Sequence, residues 1–366
     1  MEYRELPHGG EKISIIGLGI GGIHHDGEAE IVETVHAAID AGINFFDFVP
    51  AKAISFDGYA RALHGKRDKV MLQIHLGADY TSGEYGFTTE PKRTISQFEE
   101  RLRCLDTDYA DFGFIHCIDK DSDFDKVMNG PVWEYAQKAK QDGKIRHLGF
   151  STHNVEMARR FIETGAMDMG MFSLNPMYDY TDESDYGKGS ADDRATLYRE
   201  FVKAGVGISV MKAFAGGQLL DAKESPFHAA LTEVQCIQYA LDKPGVLTVL
   251  PGVRNRKDLG SILHYFDATP EERDYSIIGT FAAPADTGRC VYCAHCQPCP
   301  QNIPIAAVNK YYDLARLGDA LAVQHYKELD YHADNCINCG HCDNRCPFGV
   351  HQSKRMREIA AAECLK

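Results

Sequence analysis

The feature that most constrains this chain is a pair of closely spaced cysteine runs near its C-terminus. The runs hold eight of the 12 cysteines, with spacings C-x2-C-x2-C-x2-C-P and C-x2-C-x2-C-x3-C-P. Their cysteines are Cys290, Cys293, Cys296 and Cys299, then Cys336, Cys339, Cys342 and Cys346. Three evenly spaced cysteines and a fourth before a proline are the ligand pattern of a [4Fe–4S] cluster. The sequence therefore predicts two [4Fe–4S] clusters.

The cysteine before each proline decides how the ligands divide between the clusters. In bacterial ferredoxins that cysteine ligates the cluster of the other run. The rule predicts one set of Cys290, Cys293, Cys296 and Cys346, and a second set of Cys336, Cys339, Cys342 and Cys299. The four remaining cysteines are expected to be core or tail thiols, and they are Cys104, Cys117, Cys236 and Cys364.

Two other uses of clustered cysteines fit less well. Zinc sites usually pair two C-x2-C units and need neither a third evenly spaced cysteine nor a proline. A disulfide framework needs an oxidising compartment, and residues 1–12 are polar, without the apolar segment of an export signal. We therefore expect a cytoplasmic protein of an anaerobic or microaerobic microbe, since such clusters are oxygen-sensitive.

Length and charge limit the remaining function classes. The chain has 366 residues and is 44% hydrophobic, enough for a large barrel with a small appended domain. Its net charge of −14 argues against nucleic acid or an anionic membrane as a partner. The same charge favours solubility and a basic redox protein as partner. No apolar run has the length of a membrane span.

The first 280 residues alternate short apolar runs with amphipathic stretches. The predicted strands are 13–18, 43–48, 70–76, 112–116, 145–150, 170–174, 207–211 and 247–250. Helical stretches between them include 28–41, 90–105, 131–141, 155–164 and 192–204. Eight such units indicate a (β/α)8 TIM barrel. A doubly wound open sheet is the alternative, but GLGIGG at 17–22 lacks the long helix that should follow a dinucleotide fingerprint.

Chemistry in such barrels lies where the strands end, at the C-terminal face. Seven of the eight predicted strand ends carry groups that can act as acids, bases or anion ligands. These groups are Asp47, His75, His116, Ser151, His153, Asn175, Tyr178, Lys212, Arg254 and Arg256.

Several of these positions lie in segments that resemble the aldo-keto reductase family. The matching segments are YREL at 3–6, IGLG at 16–19, GINFFD at 42–47, DYAD at 108–111, IH at 115–116, GKIRHLGFS at 143–151 and PGVR at 251–254. The tail, with CQPCP at 296–300, resembles the family members that carry a ferredoxin-like extension. The resemblance implies a barrel over residues 1–280 and a ferredoxin-like domain over 281–366, with helices at 305–317 and 320–329 inserted between the cysteine runs.

The family's active site is a tetrad of Asp, Tyr, Lys and His, in which the tyrosine protonates a carbonyl as NADPH delivers hydride. The resemblance implies that Asp47 and His116 are retained, whereas Lys52 replaces the tyrosine and His75 replaces the lysine. These four residues are the candidate catalytic group, able to donate a proton through lysine or histidinium but without the family's phenol. A structural remnant and a Schiff-base lysine are the alternatives.

The resemblance also implies a cofactor site for NADP(H). Phosphate donors would be Lys212, Gly216, Gly217, Arg254, Asn255 and Arg256, and the nicotinamide carboxamide would be held by Ser151 and Asn175. However, Ser261 and Ile262 stand where the family grips adenine, and Met211 stands where an aromatic residue stacks on nicotinamide. A phosphate clamp of this kind also suits FMN, which would couple one-electron clusters to two-electron chemistry.

Four functions remain open from sequence. The first is an iron–sulfur oxidoreductase on an aldo-keto reductase barrel, passing electrons between two [4Fe–4S] clusters and a small-molecule substrate at the barrel mouth. The second is an NADPH-dependent carbonyl reductase with auxiliary clusters. The third is a redox-sensing or electron-shuttling protein without turnover. The fourth is a Schiff-base enzyme using Lys52.

Overall fold

The structure, a computed structural model, describes residues 1–23, 27–180, 186–227, 229–280, 288, 290, 292, 296–316, 320–346 and 348–365. Cys293 and Pro347 lie outside these ranges. Residues 281–287, which follow the predicted domain boundary at 280–281, also lie outside them. Across the ranges given, every helix is too short or too polar to cross a bilayer.

Twelve strands are present in the described residues. They are β1 (Tyr3–Glu5), β2 (Lys12–Ser14), β3 (Leu18–Gly19), β4 (Phe45–Phe48), β5 (Met71–Leu76), β6 (Ala78–Asp79), β7 (Gly86–Phe87), β8 (Ala110–Ile115), β9 (Ile145–Thr152), β10 (Met169–Ser173), β11 (Gly207–Met211) and β12 (Val246–Val249).

Eight of these strands form a parallel sheet in the order β3-β4-β5-β8-β9-β10-β11-β12. The two edges meet, because parallel bridges join Ile16 to Val249 and Gly19 to Gly252. Two backbone hydrogen bonds of 2.9 Å, from Gly17 N to Val249 O and from Val249 N to Ile15 O, complete the seam. The sheet is thus a closed barrel, which confirms the predicted (β/α)8 fold.

The first predicted strand differs from the structure, because residues 13–18 do not form one element. β2 pairs antiparallel with β1, and only β3 enters the barrel. Gly17 lies just before β3, at the seam where the barrel closes. A Cβ on Gly17 would lie 2.6 Å from Leu250 Cδ2 and 2.9 Å from Phe45 O. The glycine-rich run therefore serves the close approach of two strands, a role that only a residue without a side chain can fill.

The helices surround this barrel and continue into the tail. Those of the barrel are α1 (Glu28–Asp40), α2 (Ser55–Leu63), α3 (Pro91–Cys104), α4 (Asp121–Met128), α5 (Pro131–Gln141), α6 (Val155–Glu163), α7 (Pro176–Tyr180), α8 (Ala191–Ala204), α9 (Glu233–Leu241), α10 (Arg256–Leu263) and α11 (Pro270–Arg273). Those of the tail are α12 (Ile305–Ala315), α13 (Ala320–Lys327) and α14 (Gln352–Ala360).

Apolar side chains fill the barrel interior, so the barrel is a packed core rather than a channel. They are Leu6, Ile13, Phe45, Phe112, Phe114, Met169, Met171, Leu247 and Leu250. The β1–β2 hairpin contributes the first two and covers the N-terminal end. Arg4 fixes the hairpin there by donating hydrogen bonds to the carbonyl oxygens of Leu241 and Val246. The C-terminal end is thereby left as the accessible mouth.

The tail has a small apolar core of its own and also completes the core of the barrel. Val308, Met356 and Ile359 are buried within the tail core. Phe348 and Val350, by contrast, are buried in the main hydrophobic cluster together with barrel residues. The cysteine-rich segment therefore packs directly against the barrel, as a second domain with a shared apolar boundary.

A buried ion pair lies in the barrel wall that faces the tail. The fully buried Arg194 in α8 donates from Nε to Asp179 Oδ1 at 2.9 Å. Two buried hydroxyls also donate to this carboxylate, from Tyr198 at 2.6 Å and Tyr239 at 2.7 Å. Three donors on one buried carboxylate tie α7, α8 and α9 together.

We expect Asp179→Asn to lower the free energy of unfolding by about 3 kcal/mol, because it leaves the guanidinium of Arg194 buried without a counter-ion. Asp125→Asn is the matched control, since Asp125 pairs with Arg160 at the exposed surface and should cost about 0.5 kcal/mol or less. Urea unfolding of both variants measures the difference. Equal, small losses would contradict the assigned role of the buried pair.

Candidate active site

Four neighbouring barrel strands bring polar groups to one part of the mouth. Asp47 lies in β4, His75 in β5 and Ser151 in β9, and His116 directly follows β8. These strands are adjacent in the sheet, with Asp47 paired to Gln73 in register. Parallel strands end at the same edge, so the closed barrel gathers these side chains at its C-terminal face.

Four of the side chains at the mouth form one continuous row of hydrogen bonds. Asp47 Oδ1 lies 2.7 Å from His75 Nε2, and His75 Nδ1 lies 2.8 Å from His116 Nδ1. His116 Nε2 in turn lies 2.7 Å from the hydroxyl of Tyr85. Gln73 Nε2 donates a second hydrogen bond, of 2.8 Å, to Asp47 Oδ1. We call Tyr85, His116, His75 and Asp47 the proton row.

The proton positions in this row follow from what each group can do. A carboxylate only accepts, so His75 Nε2 carries the proton that it donates to Asp47. With a single proton on the His75 ring, its Nδ1 accepts, which assigns a donated proton to His116 Nδ1. The Nε2 of neutral His116 accepts in turn, so Tyr85 donates its hydroxyl proton. Every hydrogen bond of the row therefore points from Tyr85 towards Asp47.

The solvent-exposed fraction differs strongly between the residues of the row. His75 is 1% exposed and His116 7%, whereas Tyr85 is 42% exposed. Burial, followed by the nearby His75 and His153, holds the pKa of His116 well below its usual value. Burial also raises the pKa of the Tyr85 phenol. At neutral pH both groups are therefore uncharged, and only the phenol is open to the solvent.

Lys52, the fourth predicted catalytic residue, is not part of this row. The structure brings Asp47, His75 and His116 together, but the Lys52 side chain is exposed, and no hydrogen bond or ion pair joins it to them. Its backbone instead forms an antiparallel bridge with Glu84. That bridge brings the neighbouring Tyr85 to the mouth, where the phenol reaches His116.

Tyr85 was missed by the sequence reasoning, which considered only strand ends. It lies in the hairpin between β6 and β7, away from any barrel strand. No local pattern marks the residue, because its contact with His116 depends on how that hairpin folds over the mouth. The neighbouring aromatic residues in YGF at 85–87 were the only available signal.

A second polar group lies beside the proton row. Asp119 accepts from His153 Nδ1 at 2.9 Å, from Thr152 Oγ1 at 2.8 Å and from the His153 backbone N–H at 2.7 Å. Cys117 lies within 4.8 Å of the Asp119 and His153 ligand atoms. Burial, then Asp119, raises the pKa of the Cys117 thiol to about 11. Cys117 is therefore a mouth residue and a neutral thiol, rather than a core or tail thiol as expected.

The two predicted carboxamide ligands already have protein partners. Ser151 Oγ accepts from the Cys117 backbone N–H at 2.8 Å. Asn175 donates from Nδ2 to Lys212 O at 2.7 Å and accepts from the Tyr178 backbone N–H at 2.9 Å. Ser151 thus stabilises the loop that leaves β8, and Asn175 joins the segments that follow β10 and β11.

The predicted phosphate donors are also engaged. Arg254 pairs with Asp258 at 2.7 Å, and Arg256 pairs with Glu33 at 2.6 Å and with Glu30 at 3.2 Å. Two arginines thus face three carboxylates, so this surface is not a positive clamp for a 2′-phosphate. A phosphate would have to displace these carboxylates before it could bind either arginine.

The remaining cofactor candidates line the loops near the mouth. Lys212 is exposed, with its Nζ 4.6 Å from the ring centre of Tyr186. Asn255 caps α10 by accepting from the Asp258 backbone N–H. Gly216 and Gly217 have φ of 70° and 97°, and nothing lies within 4 Å of a Cβ built on either. The two glycines thus form an open backbone turn that an anion can approach.

One set of predicted cluster ligands surrounds a single apolar cavity. Cys299, Cys336, Cys339 and Cys342 all line it, together with Ile303 and Met356 among others. The backbone N–H of Asn338 donates to Cys336 Sγ at 3.4 Å. Four cysteine sulfurs converging from two distant runs, within an apolar shell, fit the ligand chemistry of an iron–sulfur cubane.

The other predicted set lies nearer the barrel. Cys290 and Cys346 both pack against the main hydrophobic cluster, whereas Cys296 is buried in the tail core and Cys293 is outside the described residues. Two N–H groups donate to the sulfurs, from Gln352 Nε2 to Cys290 at 3.5 Å and from the Val350 backbone to Cys346 at 3.4 Å. The described members Cys290 and Cys346 thus lie at the boundary between tail and barrel.

A short helix connects this boundary with the barrel mouth. α7 begins directly after Asn175 and ends at Tyr180. The ring of Tyr180 stacks on Phe348, with centres 6.3 Å apart and planes at 29°. Phe348 follows Cys346 by two residues. Because a helix rises about 1.5 Å per residue, the five-residue α7 is itself only about 7 Å long.

Comparison with known proteins decides the family. The profile of the Aldo/keto reductase family matches residues 16–235, and that of a 4Fe-4S dicluster domain matches residues 286–350. The chain belongs to the aldo/keto reductase family. Its resemblance to members that carry a C-terminal iron–sulfur extension is thereby confirmed.

Individual relatives agree with this assignment. The aldo-keto reductase YhdN of Bacillus subtilis is 32% identical over 173 residues, 44% of this chain and 50% of the relative. The L-galactose dehydrogenase of Arabidopsis thaliana is 32% identical over 162 residues, 41% of this chain and 48% of the relative. The chain thus spans about half the length of these curated relatives. Aldo-keto reductase AKR11C1 of Bacillus halodurans in its holo form shares the fold at a TM-score of 0.62 and 20% identity, over 77% of this chain and 97% of that one.

We expect His116 to remain neutral in solutions well below pH 6.5, because its burial opposes protonation. Nitrogen-15 NMR of the histidine rings should show the Nδ1–H tautomer of His116 unchanged through that range. His147 is the internal comparison: burial disfavours its charge, but hydrogen bonds to Asp168 and Glu11 raise its pKa, so it should titrate above pH 6.5. A His116 ring that titrates near pH 6.5 would contradict the proton assignment in the row.

Proposed function

We propose that this chain is an iron–sulfur oxidoreductase in which electrons pass between two [4Fe–4S] clusters and a small organic substrate at the barrel mouth. The names of its relatives, reductases and a dehydrogenase, support the reaction class. The proposal places the barrel in residues 1–280 and the ferredoxin-like domain in 281–366.

The observation that carries this proposal is the packing of the tail against the barrel beside α7. Cys290 and Cys346 contact the main hydrophobic cluster, and Phe348 stacks on Tyr180, five residues beyond Asn175 at the mouth. A merely tethered electron carrier would not need to bury its ligand segment in the core of the barrel. The arrangement supports short-range electron exchange between the nearer cluster and the mouth.

The proposed ligand sets follow the exchanged pattern. One set is Cys299, Cys336, Cys339 and Cys342, supported by the cavity that all four line. The other set is Cys290, Cys293, Cys296 and Cys346, supported by the shared boundary position of its first and last members. The second set, which lies nearer the mouth, would exchange electrons with the substrate.

Asp47, His75 and His116 are proposed to orient the substrate and to manage its protons. Two electrons reach a carbonyl most readily as a hydride, so a carrier of the nicotinamide or flavin class would supply that chemistry when bound. Gly216 and Gly217 offer the backbone approach for its phosphate. Lys52 would take part only if its exposed side chain turned inwards.

The second candidate, an NADPH-dependent carbonyl reductase with auxiliary clusters, has a specific observation against it. Arg254 and Arg256 are paired with carboxylates and do not present a free positive charge for a 2′-phosphate. The third candidate, an electron shuttle without turnover, leaves the buried row of ionisable groups at the mouth without a purpose.

We expect paired cysteine substitutions to reveal how the ligands are shared. In Cys299→Ala/Cys336→Ala both losses fall on one cluster, so about four iron atoms should remain. In Cys299→Ala/Cys290→Ala the losses fall on two clusters, so almost no intact cluster should remain. Iron analysis and electron paramagnetic resonance of anaerobically purified protein measure both variants.

Cys364→Ala is the control, since this thiol is outside both proposed sets and should leave about eight iron atoms bound. The opposite result, with Cys299→Ala/Cys290→Ala keeping one intact cluster, would show that each run binds its own cluster. Zinc in place of iron in the unaltered protein would overturn the proposed function as a whole.

We expect Tyr180→Ala to slow electron exchange between the clusters and the barrel mouth, because it removes the ring that stacks on Phe348. Stopped-flow absorbance of the dithionite-reduced protein, mixed with pyridine-3-carboxaldehyde, measures cluster re-oxidation. Tyr180→Phe is the matched control and should keep the unaltered rate. Slowing should occur without iron loss, and an unchanged rate in Tyr180→Ala would count against this contact as the route.

A further inference from the structure

We propose that Tyr85 exchanges the proton with the substrate oxygen, and that the proton row carries it between Tyr85 and Asp47. The inference rests on the proposed function and adds a catalytic residue to it. It is needed because the family's phenol is absent at position 52, where this chain has Lys52, and no other described tyrosine hydroxyl donates to the row.

The position of Tyr85 suits direct contact with a substrate. Its backbone N–H donates to Ala51 O at 2.9 Å, next to Lys52, so the phenol enters the mouth from the neighbouring loop. Its ring meets His116 edge to face, with centres 5.8 Å apart. Tyr85 is also the one exposed member of the row, so a substrate entering the mouth reaches its oxygen before either histidine.

The three residues behind Tyr85 can accept protons, which packing of the barrel alone would not require. Three buried polar residues, Asp47, His75 and His116, occupy positions where apolar side chains would pack without the cost of desolvation. Each is joined to the next by a hydrogen bond of 2.7–2.8 Å. A carboxylate that orients a histidine, which in turn accepts from a hydroxyl, is the arrangement that activates hydroxyl groups in enzymes.

The direction of the hydrogen bonds sets the proton step. A substrate alcohol loses its O–H proton to Tyr85 Oη as the phenolic proton moves to His116 Nε2. The His116 Nδ1 proton moves to His75 Nδ1, and the His75 Nε2 proton moves to Asp47. The two electrons of the substrate C–H bond would leave as a hydride, which a bound oxidised carrier of the nicotinamide or flavin class would accept. The substrate would become a carbonyl, and the row would end with Asp47 protonated.

Carbonyl reduction is the same sequence reversed, and it must begin with Asp47 protonated. With Asp47 ionised, the hydrogen bonds run from Tyr85 to Asp47, and a row in that state is ready to oxidise an alcohol. The low pKa of His116 supports this, since a neutral imidazole is needed to accept the phenolic proton. The ionisable groups that face Tyr85, at the outer end of the row, are Cys117 and Asp47. Those that face His116, besides His75, are His153 and Asp119.

Tyr85→Phe tests the inference, in the full-length protein purified anaerobically with its clusters. It removes one hydroxyl and keeps the ring that packs on His116. Tyr80→Phe is the matched control, because Tyr80 is a neighbouring ring 6.2 Å away whose hydroxyl donates to Pro50 O and not to the row. The probes are pyridine-3-carboxaldehyde and 3-pyridinemethanol, assayed with reduced and oxidised nicotinamide respectively and with chemically reduced or oxidised clusters.

Tyr85→Phe should lower kcat about 100-fold or more in both directions with little change in KM, the usual contribution of a proton-transfer group. Tyr80→Phe should remain within about twofold of the unaltered protein, as expected for a hydroxyl that does not exchange protons. Nitrogen-15 NMR supplies a readout besides activity: Tyr85→Phe should shift the His116 Nε2 resonance and leave iron content unchanged.

The outcomes separate this inference from the proposed function. Turnover by the unaltered protein that persists undiminished in Tyr85→Phe overturns the role of Tyr85 alone. Equal loss in Tyr85→Phe and Tyr80→Phe also overturns it, because the effect would then arise from loop packing. Failure of the unaltered protein to turn over any carbonyl or alcohol, with intact clusters, overturns the proposed function and the inference together.

Discussion

The architecture depends on the seam that closes the parallel sheet. Strand β3 is only two residues long, and the contact across to β12 relies on backbone hydrogen bonds around Gly17 and Val249. Without that contact the sheet would be open, and its strand ends would lie along an edge rather than around a mouth. The direct pairing of β4, β5, β8 and β9 brings Asp47, His75 and His116 together, and closure bends this edge of the sheet into a mouth. The missing Cβ at Gly17 is thus a condition for the closed fold.

Burial gives the polar residues at the mouth their chemical character. In water, neighbouring imidazoles would titrate near neutrality and bond to solvent. Here they are enclosed, so each must satisfy its hydrogen bonds with the next member of the row, and the carboxylate at the inner end determines which way every proton points. The exposed phenol of Tyr85, at the outer end, is the member of the row that a substrate can contact. The lysine that replaces the family's tyrosine is exposed and lies outside the row, so its ammonium does not pair with the Asp47 carboxylate at the inner end.

The tail and the barrel form a single packed unit with two apolar centres. One centre surrounds the cavity of Cys299, Cys336, Cys339 and Cys342 in the tail, and the other joins Cys290 and Cys346 to the main hydrophobic cluster. In the proposed function, electrons would pass through both centres. The buried pair of Asp179 and Arg194 stiffens the wall where α7 passes between the inner site and Asn175.

Much of this was readable from sequence because the signals are local. Cysteine spacing predicted the clusters, strand and helix periodicities predicted the barrel, and family segments predicted Asp47, His75 and His116 as neighbours. Tertiary structure alone decided the rest. Tyr85 reaches His116 only because a hairpin folds over the mouth, and Cys117 lies beside the row only because β8 ends there. Of the arginines expected to bind phosphate, Arg254 pairs with the nearby Asp258. Arg256 instead meets Glu30 and Glu33 of α1, which are more than two hundred positions away in the chain. Local patterns fix which groups a segment carries, whereas long-range packing determines which groups face each other and so which are charged, paired or exposed.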